Sequence, residues 1–421
     1  MAKFKPIKGS VTAPLGYRAA ACFCDVKTLG TGKGSNKGQK NDLALIVSDT
    51  PAKAAGMFTT NQICAAPVKV CVEHLKNNTA QAVVVNSGNA NACTGPQGMA
   101  DAREMAALTG QALGLNSTNI LVGSTGRIGI QLPMANVRSG ITEVATKLKP
   151  TRAAATLAAE AIMTSDTRPK EVAVEFKLGG KTVRLGGIAK GAGMIQPGMS
   201  PTGARPASAP QGLHATMLAY LTTDANIAAG VLKKCLRESV AQSFNCITVD
   251  GDMSTNDTVL VLANGQAGGK AISRGSKDCR KFSQALTHVL LELARACVRD
   301  GERVSKFVTL EVRGASVYLD AKKVAEAIAK SALVKSSWNG GDPNWGRIIH
   351  AIGYSRARIR EELIDISYDG KPACEGGLAA KTPLKTLRDI AARDSFTITV
   401  DLHLGKADYT IYTSDISPEY I

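Results

Sequence analysis

Three stretches of this chain carry residue types and spacings that could do chemistry. Asn86-Ser87-Gly88-Asn89-Ala90-Asn91-Ala92-Cys93-Thr94-Gly95 follows one apolar run, and Gly123-Ser124-Thr125-Gly126-Arg127-Ile128-Gly129 follows another. Loops of this makeup present backbone N–H groups to an anion or a developing oxyanion, although ordinary turns use the same residues. The third stretch is Lys190-Gly191-Ala192-Gly193-Met194-Ile195, then a Pro-rich segment, then His214-Ala215-Thr216-Met217-Leu218-Ala219-Tyr220-Leu221-Thr222-Thr223-Asp224. Thr216 stands between that segment and an apolar, strand-like run. One reading is a buried strand threonine. The other is a threonine that becomes N-terminal when the chain is cut. Its hydroxyl attacks the Ala215 carbonyl and the resulting ester hydrolyses. The freed α-amine, with a reference pKa of about 7.7–8.0, then serves as base for its own hydroxyl. Such a mechanism needs no histidine.

Other chemistries find less support. Only five histidines occur (His74, His214, His288, His350 and His403), none at ligand spacing from another. Of ten cysteines, Cys22 and Cys24 form one CxC and the rest lack metal spacing. Cys64, Cys246 and Cys297 sit in apolar runs and read as reduced, buried thiols. Residues 30–40 (GTGKGSNKGQK) are rich in Gly and Lys but do not match GxxxxGK[ST], so they read as a flexible basic loop.

The formal net charge is +16, and residues 1–40, with eight Lys/Arg and one Asp, supply +7 of it. Aromatic residues are 4 %, too few for a base-stacking surface, so charge alone is a weak argument for nucleic acid. No stretch approaches the roughly 18 apolar residues of a membrane helix. The start, Met1-Ala2-Lys3-Phe4-Lys5-Pro6, lacks the apolar stretch of a secretion signal. A cytoplasmic protein with no membrane or nucleic-acid partner is therefore expected.

The elements that must position these residues mix strands and helices, which predicts an α/β or α+β class. Residues 43–48 and 82–86 read as buried strands, and 101–115 as a helix with Ala102, Met105, Leu108, Ala112 and Leu115 on one stripe. Val172, Val174, Phe176 and Leu178 alternate, and Gly179-Gly180 turns the chain into Val183 and Leu185 as a hairpin. Residues 284–298 form the clearest helix. Val308–Val312 and Phe396–Leu404 alternate as strands, with His403 on the polar side of the second. Residues 197–212, with four Pro and three Gly, read as an exposed linker and the best candidate boundary.

Taken together, the long motifs identify a family. VNSGNANACTG at 85–95, GSTGRIG at 123–129, KGAGMI at 190–195, ATMLAYLTTDA at 215–225, FNCITVDGDMSTNDT at 244–258, DGERVSKF at 300–307 and GGDPNWGRIIHAIGYS at 340–355 occur in order. The chain resembles the ornithine acetyltransferase (glutamate N-acetyltransferase) family of arginine biosynthesis from about Gly9 to about Tyr420. The resemblance implies a layered α/β sandwich of the DmpA/ArgJ-like type. It implies self-cleavage at Ala215/Thr216 into an α chain (1–215) and a β chain (216–421) that share one core. Thr216 would take acetyl from N-acetylornithine and pass it to glutamate, with Thr125 and Gly126 as the oxyanion hole. Thr164, Lys190, Thr216 and Glu302 would contact substrate. Lys190 and Glu302 taken alone read as solvated surface charges. No metal or organic cofactor is implied, two α and two β chains are expected to associate, and use of acetyl-CoA as a second donor stays open.

Four departures from the family pattern stand out. Lys190 and Thr216 lie farther apart than is usual, so 200–214 reads as an insertion just before the scissile bond, with His214 where Met is common. Relatives commonly continue past the position of Ile421 with a short substrate-binding tail. The 30–40 loop looks inserted, and TSDT stands at 164–167 where TTDT is usual. Two other readings remain at this stage: an N-terminal-nucleophile amidohydrolase or aminopeptidase on a related fold, and a basic binding protein that keeps the fold without the chemistry.

Overall fold

The computed structural model describes residues 4–27, 40–204 and 217–420. They form two compact units. The first comprises Met1–Asn245 and Met253–Cys297, and the second comprises Cys246–Asp252 and Val298–Ile421.

The first unit is built on a sheet of β1 (Lys5–Pro6), β2 (Tyr17–Cys22), β3 (Leu43–Phe58), β4 (Thr79–Asn89), β5 (Ile120–Arg127), β6 (Lys170–Leu178), β7 (Lys181–Lys190), β8 (Leu218–Thr223) and β9 (Thr258–Ala263). Their order is β1-β6-β7-β8-β9-β3-β4-β5, with β2 also paired to β3. The apolar run at 43–48 is buried on both faces, which is why it lacks alternation. Ala44, Ile46, Val83, Val85 and Leu121 face one core, shared with Ala155, Ala158 and Ala159 of a helix at Arg152–Ala161. Leu43, Leu45, Val84, Ile120 and Val122 face the other, shared with Met105 of the helix Gly95–Leu113 and with Val137 and Ile141 of the helix Met134–Thr146. Burying each such aliphatic side chain contributes about 1.5–3 kcal/mol. The layers are thus helix, sheet, helix, as an α/β class requires.

The second unit carries a six-stranded sheet of β10 (Phe307–Ala315), β11 (Asp365–Tyr368), β12 (Lys371–Glu375), β13 (Leu378–Ala379), β14 (Ser395–Asp401) and β15 (Ala407–Ser414), in the order β13-β12-β11-β14-β10-β15. Val308, Leu310, Val312, Ile398 and Val400 pack with Val324, Ile328 and Trp338 from the helices Tyr318–Lys330 and Ala332–Asn339.

Several sequence expectations hold in extended form. The strand at 43–48 runs on to Phe58, because its second half leaves β4 and pairs with β9 from Lys53 to Phe58. The helix expected at 101–115 begins at Gly95, with Pro96 in its first turn, and ends where Gly114 caps it. The hairpin at Gly179-Gly180 forms between β6 and β7, and the helix expected at 284–298 spans Lys277–Arg299.

Others need correction. Gly123–Arg127 is not a loop but the last part of β5, where pairing with β4 extends the strand through Thr125 and Gly126. Strand β14 stops at Asp401 rather than Leu404. His403 lies beyond it with φ +50°, and its ring pairs with Asp365 at 2.8 Å. That partner raises its pKa. Residues 197–200 are neither an exposed linker nor a boundary. Met199 is buried, and Ser200 exchanges two backbone hydrogen bonds with Phe58, at 2.8 and 2.9 Å, tying this segment to β3. Residues 201–204 are mostly exposed, as expected, while 205–212 and residues 30–39 of the basic loop lie outside the described residues.

Strand β8 is held on both sides. Leu218 pairs with Lys190 of β7 on one edge and with Thr258 of β9 on the other. Chain segments before and after 215/216 therefore alternate in one sheet. A site-specific protease cut introduced within 205–212 should leave a particle that elutes from gel filtration like the uncut protein, with the pieces parting only in denaturant. Separation in plain buffer would show that the shared sheet does not hold them.

Candidate active site

Strands β4 and β5 run parallel and end together, with Ser87 opposite Thr125 and Gly88 opposite Gly126. Their closeness there is a glycine property. A Cβ on Gly126, at φ +135°, would stand 2.2 Å from the Gly88 carbonyl carbon. One on Gly88, at φ +105°, would stand 2.6 Å from Lys27 Cα. No L side chain fits either place. Asparagines lock the strand ends. Asn86 accepts from the Ser124 hydroxyl at 2.6 Å and donates to the Asn89 carbonyl at 2.9 Å. Asn256 Nδ2 donates to the carbonyls of Ala90 (2.7 Å) and Ser124 (2.8 Å).

Lys190, the last residue of β7, reaches this corner. Its ammonium donates to Thr164 Oγ1 at 2.8 Å and Thr125 Oγ1 at 3.3 Å, and the residue is only 2 % exposed. The solvated-surface reading of Lys190 is therefore wrong. A buried ammonium needs an answering charge, and Asp166 supplies it. Its Oδ2 lies 3.8 Å from Lys190 Nζ and accepts from the Thr164 N–H at 3.1 Å. Its Oδ1 accepts from Lys170 Nζ at 2.6 Å and the Gly191 N–H at 2.7 Å. Burial pushes the Asp166 carboxyl up, but the two ammonium groups and the Gly191 N–H outweigh it and hold the group down at about 2. It stays a carboxylate, and Lys190 and Lys170 face it as cations.

The structure thus brings Thr125, Gly126, Thr164 and Lys190 together. Glu302 belongs to the second unit, in a half-buried turn after the buried Gly301. There its charge acts on Tyr420, whose hydroxyl donates to Asp250 Oδ2 at 3.1 Å; burial, then Asp250 and Glu302, push the Tyr420 hydroxyl upward. Ala215 and Thr216 lie outside the described residues. The chain on their far side is firmly fixed. Met217 N–H donates to Asp257 Oδ1 at 2.6 Å, its carbonyl accepts from Thr258 N–H at 3.0 Å, and Leu218 follows beside Lys190.

Sequence reasoning did not single out Asp166, Lys170, Asn86, Asn256 or Asp257. Asp166 lies inside TSDT and stands four residues before Lys170, a spacing that could have flagged an ion pair. The asparagines were legible only as motif letters, because their partners lie up to 166 residues away. Among the described residues no cluster of His, Cys, Asp and Glu is arranged to hold a metal.

Chemically, the corner offers a buried cation against two threonine hydroxyls at the end of a parallel strand pair. That suits an anion, or an oxyanion that forms during reaction. Asp166 is the group whose removal should cost most. Asp166→Asn leaves two buried ammonium groups without a counter-charge and should destabilise folding by about 3–5 kcal/mol. Because the folded pKa is depressed, this contribution is complete above the unfolded value of about 4 and fades as the pH falls toward about 2. The gap between urea titrations of the two proteins should therefore narrow across that window. A gap that persists unchanged at pH 2 would contradict the ion-pair account.

Known proteins resemble this chain along nearly its whole length. The ArgJ family pattern matches residues 27–421. The arginine biosynthesis bifunctional protein ArgJ of Symbiobacterium thermophilum is 43 % identical over 99 % of this chain and 97 % of its own length. The protein of the same name from Geobacter sulfurreducens is 45 % identical over 96 % of this chain and 97 % of its own. The glutamate N-acetyltransferase of Methanocaldococcus jannaschii is 42 % identical over 99 % and 97 %. With the pattern spanning nearly the whole chain and relatives matched almost end to end, the protein belongs to the ArgJ family.

Proposed function

We propose that this chain, cut between Ala215 and Thr216, transfers an acetyl group from N2-acetyl-L-ornithine to L-glutamate in arginine biosynthesis, giving L-ornithine and N-acetyl-L-glutamate. The observation that carries the reading is Lys190, buried and joined to both Thr125 and Thr164, at the register position where β8 begins two residues after Thr216. The relatives' names, arginine biosynthesis bifunctional protein and glutamate N-acetyltransferase, support the substrate class.

In this reading the Thr216 α-amine takes the proton of its own hydroxyl, and Oγ1 attacks the acetyl carbonyl. The carbonyl oxygen becomes an oxyanion, stabilised by Thr125 and Gly126 with the positive field of Lys190 behind Thr125. Collapse breaks the C–N bond, the proton passes to the departing amine, and acetyl remains as an ester on Thr216. Glutamate's amine then attacks that ester and restores the hydroxyl. Thr164 and Lys190 hold the amino-acid head of either substrate, and Glu302 an amine. The acetyl group travels on Thr216, so the scheme uses no organic cofactor. Acetyl-CoA would acylate the same hydroxyl and is the second donor to assay. We further propose a cytoplasmic assembly of two α and two β chains, which light scattering would report as twice the 43.9 kDa chain mass.

Labelled acetyl should move from acetylornithine to glutamate with the wild type and not with Thr216→Ala, which should also remain a single uncut chain. Thr125→Ala should cut kcat by about 10²–10³-fold while still being processed slowly. A Thr216→Ala protein that is normally processed and active would sink the mechanism. Release of free acetate at the expense of acetylglutamate would favour a hydrolase instead.

A further inference from the structure

Lys27 is a third buried lysine of this corner, after Lys190 and Lys170, and nothing in the scheme above uses it. It is 8 % exposed. Its Nζ makes one hydrogen bond among the described residues, to the Asn41 carbonyl at 2.8 Å. Asp42, the carboxylate nearest in sequence, is already committed to backbone. Its Oδ1 takes the Cys24 N–H at 2.7 Å, and its Oδ2 takes the N–H groups of Val26 (2.7 Å) and Lys27 itself (3.1 Å). Lys190 and Lys170 are answered by Asp166, whereas Lys27 has no carboxylate within 4.0 Å among the described residues. An ammonium left so in a folded protein is costly and is a recurring device for binding an anion.

What lies beside it is room for a ligand. Lys27 lines a cavity of about 450 Å³ together with Lys40, Asn41, Glu160, Thr164 and Asp166. Thr164 and Asp166 also belong to the corner already described, so the cavity borders that site. Its volume suits a small molecule such as an amino acid. The backbone holds Lys27 in register with the corner, since Lys27 Cα abuts Gly88 and Gly88 abuts Gly126.

We propose that the Lys27 ammonium binds the side-chain carboxylate of the acidic amino acid that accepts the acetyl group. This rests on the acetyl-transfer reading. Donor and acceptor share an α-carboxylate and differ at the other end, where ornithine carries an amine and glutamate a carboxylate. A cation at the distal wall favours the second over the first, and so acts on one half-reaction more than the other.

The half-reactions separate by isotope exchange. Labelled ornithine enters acetylornithine through the first alone, and labelled glutamate enters acetylglutamate through the second alone. Lys27→Met should raise the KM for glutamate by about tenfold or more, that for ornithine by less than about threefold, and Lys27→Arg should restore most of the loss. Burial, then repulsion from Lys40 and Lys190, lowers the Lys27 pKa to about 8 against the pull of Asp42 and Asp166, and Glu160 lines the same cavity. Wild-type glutamate KM should therefore climb above that pH relative to that of Lys27→Arg, because the Thr216 α-amine titrates alike in both. Lys27→Met should melt close to wild type, because the lost hydrogen bond to the Asn41 carbonyl is offset by no longer burying an ammonium that has no carboxylate within 4.0 Å among the described residues. Glutarate, a dicarboxylate without an amine, should bind the wild type more tightly than Lys27→Met in calorimetry. Equal losses in both exchanges with a lowered Tm, or an unchanged glutamate KM, would overturn the proposal. If the wild type supports neither exchange, the acetyl-transfer reading fails, and the glutarate titration alone decides the subsite: equal binding overturns it.

Discussion

The Asp166 carboxylate, buried between the ammonium groups of Lys170 and Lys190, is the interaction on which the site depends. Without it two cations could not stay charged inside the first unit. Beside it, Lys190 is aimed at Thr125 and Thr164. The same carboxylate also takes the N–H groups of Thr164 and Gly191, so one side chain fixes the TSDT turn, the end of β7 and the charge of the site. Buried pairs of this kind are poor sources of net stability but strongly resist losing one member. That resistance is what a preorganised electrostatic site requires.

The fold serves this arrangement by letting distant segments end at one place. Strands β4 and β5 terminate in parallel, and β7 delivers Lys190 to them. Strand β8 begins beside Lys190 with Met217 pinned to the buried Asp257. Sheet register thus performs the positioning that a catalytic loop would otherwise have to achieve with flexible backbone. Gly88 and Gly126 allow the close approach, and the amides of Asn86 and Asn256 satisfy carbonyls that the bulged ladder leaves over. Placing Thr216 directly before a strand with neighbours on both edges also explains how a cut chain could stay whole.

Much of this was legible in the sequence, though unevenly. Continuous apolar runs and the Gly179-Gly180 turn gave the strands, because burial on both faces and a tight reversal leave local signatures. The order of long motifs gave the family and pointed to Thr125, Gly126, Thr164 and Lys190, which the structure brings to one corner. Asp166 and Lys27 were missed for a physical reason. What matters about each is whether its charge is answered, and the answering groups come from other strands and turns. Gly123–Arg127 reads as a loop because Gly, Ser and Thr signal turns locally, while pairing with β4 overrides that preference. Likewise the prolines at 197–212 suggested a boundary, yet Ser200 is bridged to Phe58, and the compact units divide elsewhere.

The central claim is that Thr216 becomes N-terminal and carries the acetyl group. Intact-mass spectrometry under denaturing conditions, before and after brief exposure to acetylornithine without glutamate, tests it most directly. Two masses that meet at Ala215/Thr216 are expected, with the C-terminal piece gaining one acetyl group that glutamate then removes. A single full-length mass in active enzyme, or an acetyl group on any other residue, would contradict it.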